Sequence, residues 1–257
     1  MKMDLSGRRA LVTGSTSGIG EATAESLAAA GADVVVNGRD PDRVARTAGR
    51  LGATGVTADV GTAEGVRTLT EQVPDVDVLV NNAGVFATQP VFEIPDAEWM
   101  RFFEVNVLSG IRLARHYAPR MVERGWGRIV FVSSEAGIQT PTVMVHYGMT
   151  KTAQLAVSRG MAQEVAGSGV TVNCVLPGPT LSAGVRRMWD ELYPGVDAAE
   201  QERRFVAEGR AADSLLGRLI RPEEVARLIT YLATDHSSAT TGSALGVDGG
   251  MVPTICP

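Results

Sequence analysis

Thr13-Gly14-Ser15-Thr16-Ser17-Gly18-Ile19-Gly20 is the stretch that decides the fold. It leaves the β-branched run Ala10-Leu11-Val12-Thr13 and enters a helical pattern from Ile19 to Ala30. Glycines permit the tight turn and let the backbone approach a pyrophosphate, and a helix N-terminus offers free N–H groups and partial positive charge to phosphates. The spacing is G-x-x-x-G-x-G, not the commoner G-x-G-x-x-G, and no Gly-Lys-Ser/Thr follows to make a P-loop. A glycine turn alone is a weak signal, because a purely structural turn has the same composition. Its position in the first strand–helix unit is what makes it informative.

Working outward, short apolar runs alternate with longer helical patterns. The strand candidates are Ala10–Thr13, Val34–Val36, Val56–Ala58, Val78–Val80, Ile129–Val132, Val170–Val172 and Ala244–Val247. They are continuous apolar runs, as expected of parallel strands covered on both faces. Helical patterns cover Ile19–Ala30, Pro41–Leu51, Ala63–Gln72, Asp96–Glu123, Tyr147–Ala166 and Pro222–Ala233. This alternation predicts an α/β fold: a doubly wound, Rossmann-type parallel sheet of about seven strands with helices on both faces. No linker, repeat or low-complexity tract interrupts residues 1–257, so one domain is expected. Ligands of such sheets bind beyond the carboxyl ends of the strands.

Composition sets outer limits. A hydrophobic share of 44% and a charged share of 21% are those of an ordinary globular domain. Twenty-four basic against 29 acidic residues leave a net charge of −5 with no basic block, which argues against nucleic acid or an anionic membrane as partner. No run approaches a membrane span and the N-terminal stretch lacks a signal-peptide core, so a cytoplasmic location is expected. The two cysteines give no disulfide framework; Cys174 reads as a buried small residue and Cys256 as an incidental thiol. His116, His146 and His236 lack metal-ligand spacing, and no metal is expected.

The choice of dinucleotide is read where the second strand ends, about 20 residues past the glycines, where an acid would hold the adenosine ribose 2′-hydroxyl. The sequence there is Val36-Asn37-Gly38-Arg39-Asp40. A small residue beside a guanidinium suits a 2′-phosphate, so NADP(H) is favoured, with NAD(H) as the alternative if Arg39 is only a solvated loop residue. Asp40-Pro41 matches a helix N-cap followed by proline, which explains Asp40 without a ligand. Asp59 and Val60, closing the third strand, are placed for the adenine, although Asp59 would equally serve as a helix cap.

Further along stand Asn81-Asn82-Ala83-Gly84, Ser134, Tyr147-x-x-x-Lys151 and Pro177-Gly178. With Thr13-Gly14-x-x-x-Gly18-Ile19-Gly20 they occur in the order and at the separations of the short-chain dehydrogenase/reductase (SDR) family, and the chain resembles that family from its first strand to Asp248-Gly249-Gly250. Each motif is modest alone; the ordered set is specific. The resemblance implies reversible hydride transfer between a nicotinamide and a carbonyl or alcohol carbon. It implies cofactor contacts from Gly14, Ser17, Gly18, Ile19, Gly20, Asn81, Ala83, Gly84, Tyr147, Lys151, Pro177, Gly178 and Thr180.

Tyr147 and Lys151 are four apart on one helix face. A free phenol has a pKa of about 10, and a nearby ammonium lowers it, making Tyr147 a candidate acid/base. By resemblance Lys151 also binds the nicotinamide ribose, and Asn106 holds a water in the relay behind the lysine. Ser134 closes the fifth strand, where its hydroxyl can stabilise charge on a substrate oxygen; Ser133 is the alternative. Asn81 is a candidate for tying adjacent strands together. In Pro177-Gly178-Pro179-Thr180 a second proline and Ser182 depart from the family pattern, leaving open whether Thr180 or Ser182 faces the carboxamide.

Substrate identity is expected in residues 135–146, including Glu135 beside Ser134, and in 181–217. There Val185, Met188, Trp189, Leu192 and Tyr193 at helical spacing suggest a lid, or else an ordinary surface helix, with Arg186 and Arg187 too few to form a basic rim. Small ketones, sugars, polyols, steroids and 3-oxoacyl thioesters all fit the resemblance. Surplus apolar residues in 99–116 and 149–161, helices that pair subunits in the family, imply a homotetramer or dimer. A nucleotide-sensing or scaffolding protein without catalysis is the reading from another class; it predicts damage at Asn106, Ser134, Tyr147 or Lys151, and all four are intact.

Overall fold

The computed structural model describes residues 3–207, 209, 211 and 213–254, without the side chains of 183, 184, 187 and 188. Cys256 therefore lies outside the described residues, as do the side chains of Arg187 and Met188. Seven parallel strands form one sheet in the order β3-β2-β1-β4-β5-β6-β7. They are β1 Arg9–Val12, β2 Asp33–Gly38, β3 Thr54–Thr57, β4 Val78–Asn81, β5 Gly127–Val132, β6 Val170–Pro177 and β7 Ala244–Val247. The strand order reverses between the parallel neighbours β1 and β4, so the crevice at the carboxyl ends of those strands is the binding position of a doubly wound fold.

The continuous apolar runs are explained by two cores. One face packs Leu11, Leu79, Ile129 and Val172 against Leu69 of α3 (Ala63–Gln72) and Leu113, Tyr117 and Met121 of α5 (Ser109–Glu123). The other packs Val12, Val36, Val80 and Val130 against Leu27 of α1 (Gly18–Ala29), Ala48 of α2 (Pro41–Leu51) and Ile229 and Leu232 of α9 (Pro222–Ala233). Every residue of β5 and β6 is buried. The helix start at Asp40-Pro41 forms as its sequence predicts: the Asp40 carboxylate accepts from the N–H groups of Asp42 (3.0 Å) and Arg43 (3.1 Å).

The helix expected over Asp96–Glu123 is not uniform. α4 (Asp96–Phe103) runs into a π-helical turn, Glu104–Leu108, before α5 begins. The widened turn carries Asn106, whose side chain reaches Val85 and Thr150 instead of staying in the helix surface. The π-turn thus coincides with tertiary bonds to a neighbouring loop and helix, and such turns are frequent at functional sites.

The segment expected to form a lid folds as α7 (Ala183–Leu192) and α8 (Ala198–Ala207). It has a small core of its own, in which Leu181, Trp189, Ala211 and Leu219 pack with Val185, Tyr193 and Phe205. Glu202 ties it to the body, its carboxylate accepting from both terminal nitrogens of Arg221 (2.9 and 2.7 Å) and from Leu219 N–H (2.9 Å). No described helix is long and apolar enough to cross a membrane.

Candidate active site

A cleft of about 1180 Å³ lies along the carboxyl ends of the strands. Its floor begins at the glycine turn. Gly14 and Gly18 take left-handed φ values of 62° and 57°, which only glycine adopts without strain. Ser15 fastens the turn to the sheet: its hydroxyl donates to Val12 O (2.7 Å) and accepts from Asn37 N–H (3.0 Å). A Cβ on Gly20 would come within 2.4 Å of Gly14 O, so α1 starts as close to the turn as it can. Ser17 is its N-cap but makes no side-chain capping bond. Its hydroxyl and the first N–H groups of α1 thus stay available, and these donors fit a dinucleotide pyrophosphate. Thr16 also lines this end and has no sequence signal beyond its place in the loop.

Arg39 and Asp40 line the cleft where β2 ends, and Arg43 lines it with them, its guanidinium donating to Thr16 O (3.1 Å). Sequence reading missed Arg43; it stands one helical turn beyond the Asp40 cap. Gly38 is small for a packing reason. A Cβ there would lie 2.7 Å from Thr16 Cγ2 and 3.1 Å from Val44 Cγ2. Asp59 and Val60 line the same end, and the Asp59 carboxylate accepts from Gly61 N–H (3.0 Å) while Thr62 caps α3. Asp59 therefore shapes the loop and is not the helix cap.

The sequence points to Asn81 for tying strands, but Asn82 does it. The Asn82 amide donates to Thr13 O (2.8 Å) and Gly14 O (3.2 Å), and the Thr13 hydroxyl accepts from Asn82 and Ala83 N–H (both 3.0 Å). Asn81 faces the other way: its amide is buried, without a hydrogen-bond partner among the described residues, and only Asn82, Ala83 and Gly84 of this run line the cleft. Side chains alternate along a strand, so neighbouring asparagines cannot share a face.

Ser134, Tyr147 and Lys151 converge on the middle of the cleft. The two serines differ. The Ser133 hydroxyl donates to Lys151 O (2.8 Å) and fastens β5 to α6 (Val145–Glu164), whereas Ser134 hydrogen-bonds Tyr147, donates to the Glu135 carboxylate and accepts from Ala136 N–H (3.1 Å). Burial raises the Glu135 carboxyl above its ordinary range, against the hydrogen bond from Ser134.

Burial also pushes the Tyr147 phenol well above its ordinary value, and the Ser134 hydrogen bond only partly opposes this. The expectation of a phenol lowered by Lys151 is thus reversed. The ammonium sits 5.4 Å from the tyrosine ring centroid and donates instead to Val132 O (2.8 Å) and Gln154 Oε1 (3.3 Å). Burial takes the lysine itself down to about 8.

Asn106 stands behind Lys151. Its Oδ1 accepts from Val85 N–H (2.8 Å), and its Nδ2 donates to Val85 O (3.0 Å) and Thr150 Oγ1 (2.9 Å). Its backbone oxygen accepts from the amide of Gln154 (2.6 Å), a residue that sequence reading did not single out.

At the far end, Pro177, Gly178, Thr180 and Ser182 line the cleft. Ser182 caps α7, accepting from Val185 N–H (3.2 Å), and Thr180 donates its proton to Gly178 O (2.8 Å). Glu135, Gln139, Thr140 and Thr142 form a polar wall, and Val185 and Phe205, from the segment expected as a lid, line the cleft together with Leu219 just beyond it. Away from the cleft, His116 Nε2 lies 3.0 Å from Pro74 O, and His146 is enclosed by Trp99 and Phe102. No group of three His, Cys, Asp or Glu side chains suited to a metal occurs among the described residues.

Residues 8–192 match the family model described as short chain dehydrogenase. The chain is 48% identical to the uncharacterized oxidoreductase YvaG of Bacillus subtilis, over 99% of this chain and all of that protein. It is 31% identical to the 3-oxoacyl-[acyl-carrier-protein] reductase FabG of Escherichia coli, over 97% of this chain and 99% of the relative. L-sorbose reductase from Gluconobacter frateurii, solved with NADPH and L-sorbose, superimposes with a TM-score of 0.93 at 34% identity, covering 99% of this chain and all of that one. Similarity of this extent, end to end and in sequence as well as fold, makes the chain a member of the short-chain dehydrogenase family of oxidoreductases.

Proposed function

We propose that the protein is an NADP(H)-dependent reductase that interconverts a small hydroxylated ketone and its alcohol. One observation carries the reading: Ser134, Tyr147 and Lys151 meet midway along a cleft that has two arginines at one end and a polar wall at the other. The bound nicotinamide would supply the hydride. Arg39 and Arg43 would hold the 2′-phosphate, and the free N-terminus of α1 the pyrophosphate. The nicotinamide carboxamide would donate to Thr180 Oγ1, whose own proton is already given to Gly178 O. L-sorbose reductase, solved with NADPH, supports both the cofactor and a hydroxylated substrate.

The chain's own chemistry is proton transfer at the substrate oxygen. Ser134 would turn its one proton from the Glu135 carboxylate to the carbonyl oxygen and orient that oxygen toward the Tyr147 hydroxyl. A phenol raised by burial stays protonated at neutral pH, as donation to the substrate oxygen requires. Lys151 would bind the ribose and keep positive charge behind the phenol. Glu135, Gln139 and Thr140 would read substrate hydroxyl groups, and the 181–217 segment would close over them as a lid. Half-buried apolar residues along α6, among them Met149 and Ala153, support assembly into a homotetramer or dimer. The inactive scaffold finds no support, since Asn106, Ser134, Tyr147 and Lys151 are all present, the last three together in the cleft.

The test is a panel of ketoses, small ketones and 3-oxoacyl thioesters with NADPH, read by nicotinamide absorbance. Reduction of at least one hydroxylated ketone is expected. Tyr147→Phe should bind NADPH as wild type does yet lose turnover by about 100-fold or more. Substantial residual turnover in that variant would refute the assignment of the proton.

A further inference from the structure

We infer that Gln154 is the positioning residue for Lys151, bridging its ammonium to the backbone of the π-turn that carries Asn106. The bridge rests on two hydrogen bonds made by one buried carboxamide. Gln154 Oε1 accepts from Lys151 Nζ at 3.3 Å, and Gln154 Nε2 donates to Asn106 O at 2.6 Å. Gln154 is 2% exposed and Lys151 4%, so water does not compete freely for either bond.

The chemistry admits only one orientation of the amide. An ammonium only donates and a backbone carbonyl only accepts, so a flipped carboxamide would face donor with donor and acceptor with acceptor. An apolar side chain of the same length would leave a buried ammonium proton and a buried carbonyl unpaired. A carboxylate would neutralise the lysine and oppose its negative charge to Asn106 O. A neutral carboxamide alone orients the ammonium while leaving its charge intact.

The bridge also fixes where the charge sits. Val132 O holds Nζ from the β5 side, and Gln154 holds it from the side of Asn106. Lys151 has three donors, so one remains for a ligand in the cleft. The place between Lys151 and Asn106, where the family resemblance implies a water, is taken by protein. Other titratable groups facing the ammonium are Tyr147 on its own helix, Glu135 on the turn after β5 and Cys174 on β6.

This inference builds on the proposed role of Lys151, but its test needs neither substrate nor cofactor. Because the lysine is pushed down to about 8 by burial, the folded chain binds fewer protons than the unfolded one between that value and the ordinary lysine range. The contribution of Lys151 to stability therefore rises with pH across that window. The Cys174 thiol, raised by burial to about 12, contributes with the opposite sign, and comparing variants with wild type cancels it. Urea unfolding from pH 7 to 10.5 would be compared among wild type, Gln154→Met and Gln154→Glu, with turnover measured alongside where a substrate is in hand. Gln154→Met should start the rise about one pH unit lower and reduce turnover about tenfold. Gln154→Glu should raise the lysine and flatten the rise. Each variant reads its own sign, so either alone decides if the other does not fold. Wild-type pH dependence in both, or a shift of the same sign in both, would overturn the inference. A wild-type enzyme inert toward every carbonyl would sink the proposed function and leave this comparison intact.

Discussion

Arg39 and Arg43 illustrate how a single residue's meaning depends on its neighbours. Arg39 is visible in the sequence because it follows Gly38 at a strand end, whereas Arg43 looks like any charged residue in the first turn of a helix. The Asp40 cap aims that first turn at the cleft, which brings the second guanidinium to the first. Replacing either by alanine should weaken NADPH binding about tenfold, the lower end for a charge-assisted contact at an exposed site, and leave NADH binding unchanged. Fluorescence titration of the two cofactors checks this, and an equal loss for both would remove the 2′-phosphate role. Asn81 and Asn82 teach the converse. The two are chemically identical, and only the strand's alternation decides which one ties the glycine turn.

Among the elements, α9 shows charge chemistry at a helix start. Glu224 accepts from Arg221 N–H (2.8 Å) and from both terminal nitrogens of Arg218 (2.9 and 2.8 Å), and these partners, Arg218 first, hold its carboxyl down at about 2. A carboxyl lowered on folding contributes stability that is complete above its ordinary pKa and is lost as pH falls toward about 2. Glu224→Gln should cost about 1 kcal/mol at neutral pH. The loss should shrink between pH 4.5 and 2, followed by chemical denaturation. A deficit constant across that range would show that the carboxylate's charge is not involved. Most elements were legible in the sequence: α2, α3, α9 and β7 have the bounds that caps and apolar runs predict. The π-turn was not, because the bonds that accompany it run from Asn106 to Val85 and Thr150, residues distant in the chain.

At the scale of the whole molecule, the cleft lies between the strand ends and the separately packed pair α7 and α8. β7 lies at the edge of the sheet and is only half-buried. With the half-buried apolar residues of α6 it leaves surface that a second copy would cover. Light scattering at micromolar concentration should give a mass two or four times that of the chain; a monomer throughout would remove the assembly from the proposal.

The sequence by itself determined the parallel sheet, the glycine turn and the ordered set Ser134, Tyr147 and Lys151. Period and turn chemistry carry the first two, spacing on one helix face pairs Tyr147 with Lys151, and the resemblance to the family adds Ser134. Only the tertiary structure decided which asparagine ties the turn, that Arg43 joins Arg39, and that Gln154 holds Lys151. It also reversed the expected direction of the Tyr147 phenol. For the charged groups and the phenol the reason is that burial and long-range hydrogen bonds set their energy. For the two asparagines it is which of them meets the glycine turn, and none of these can be read from residues adjacent in the chain.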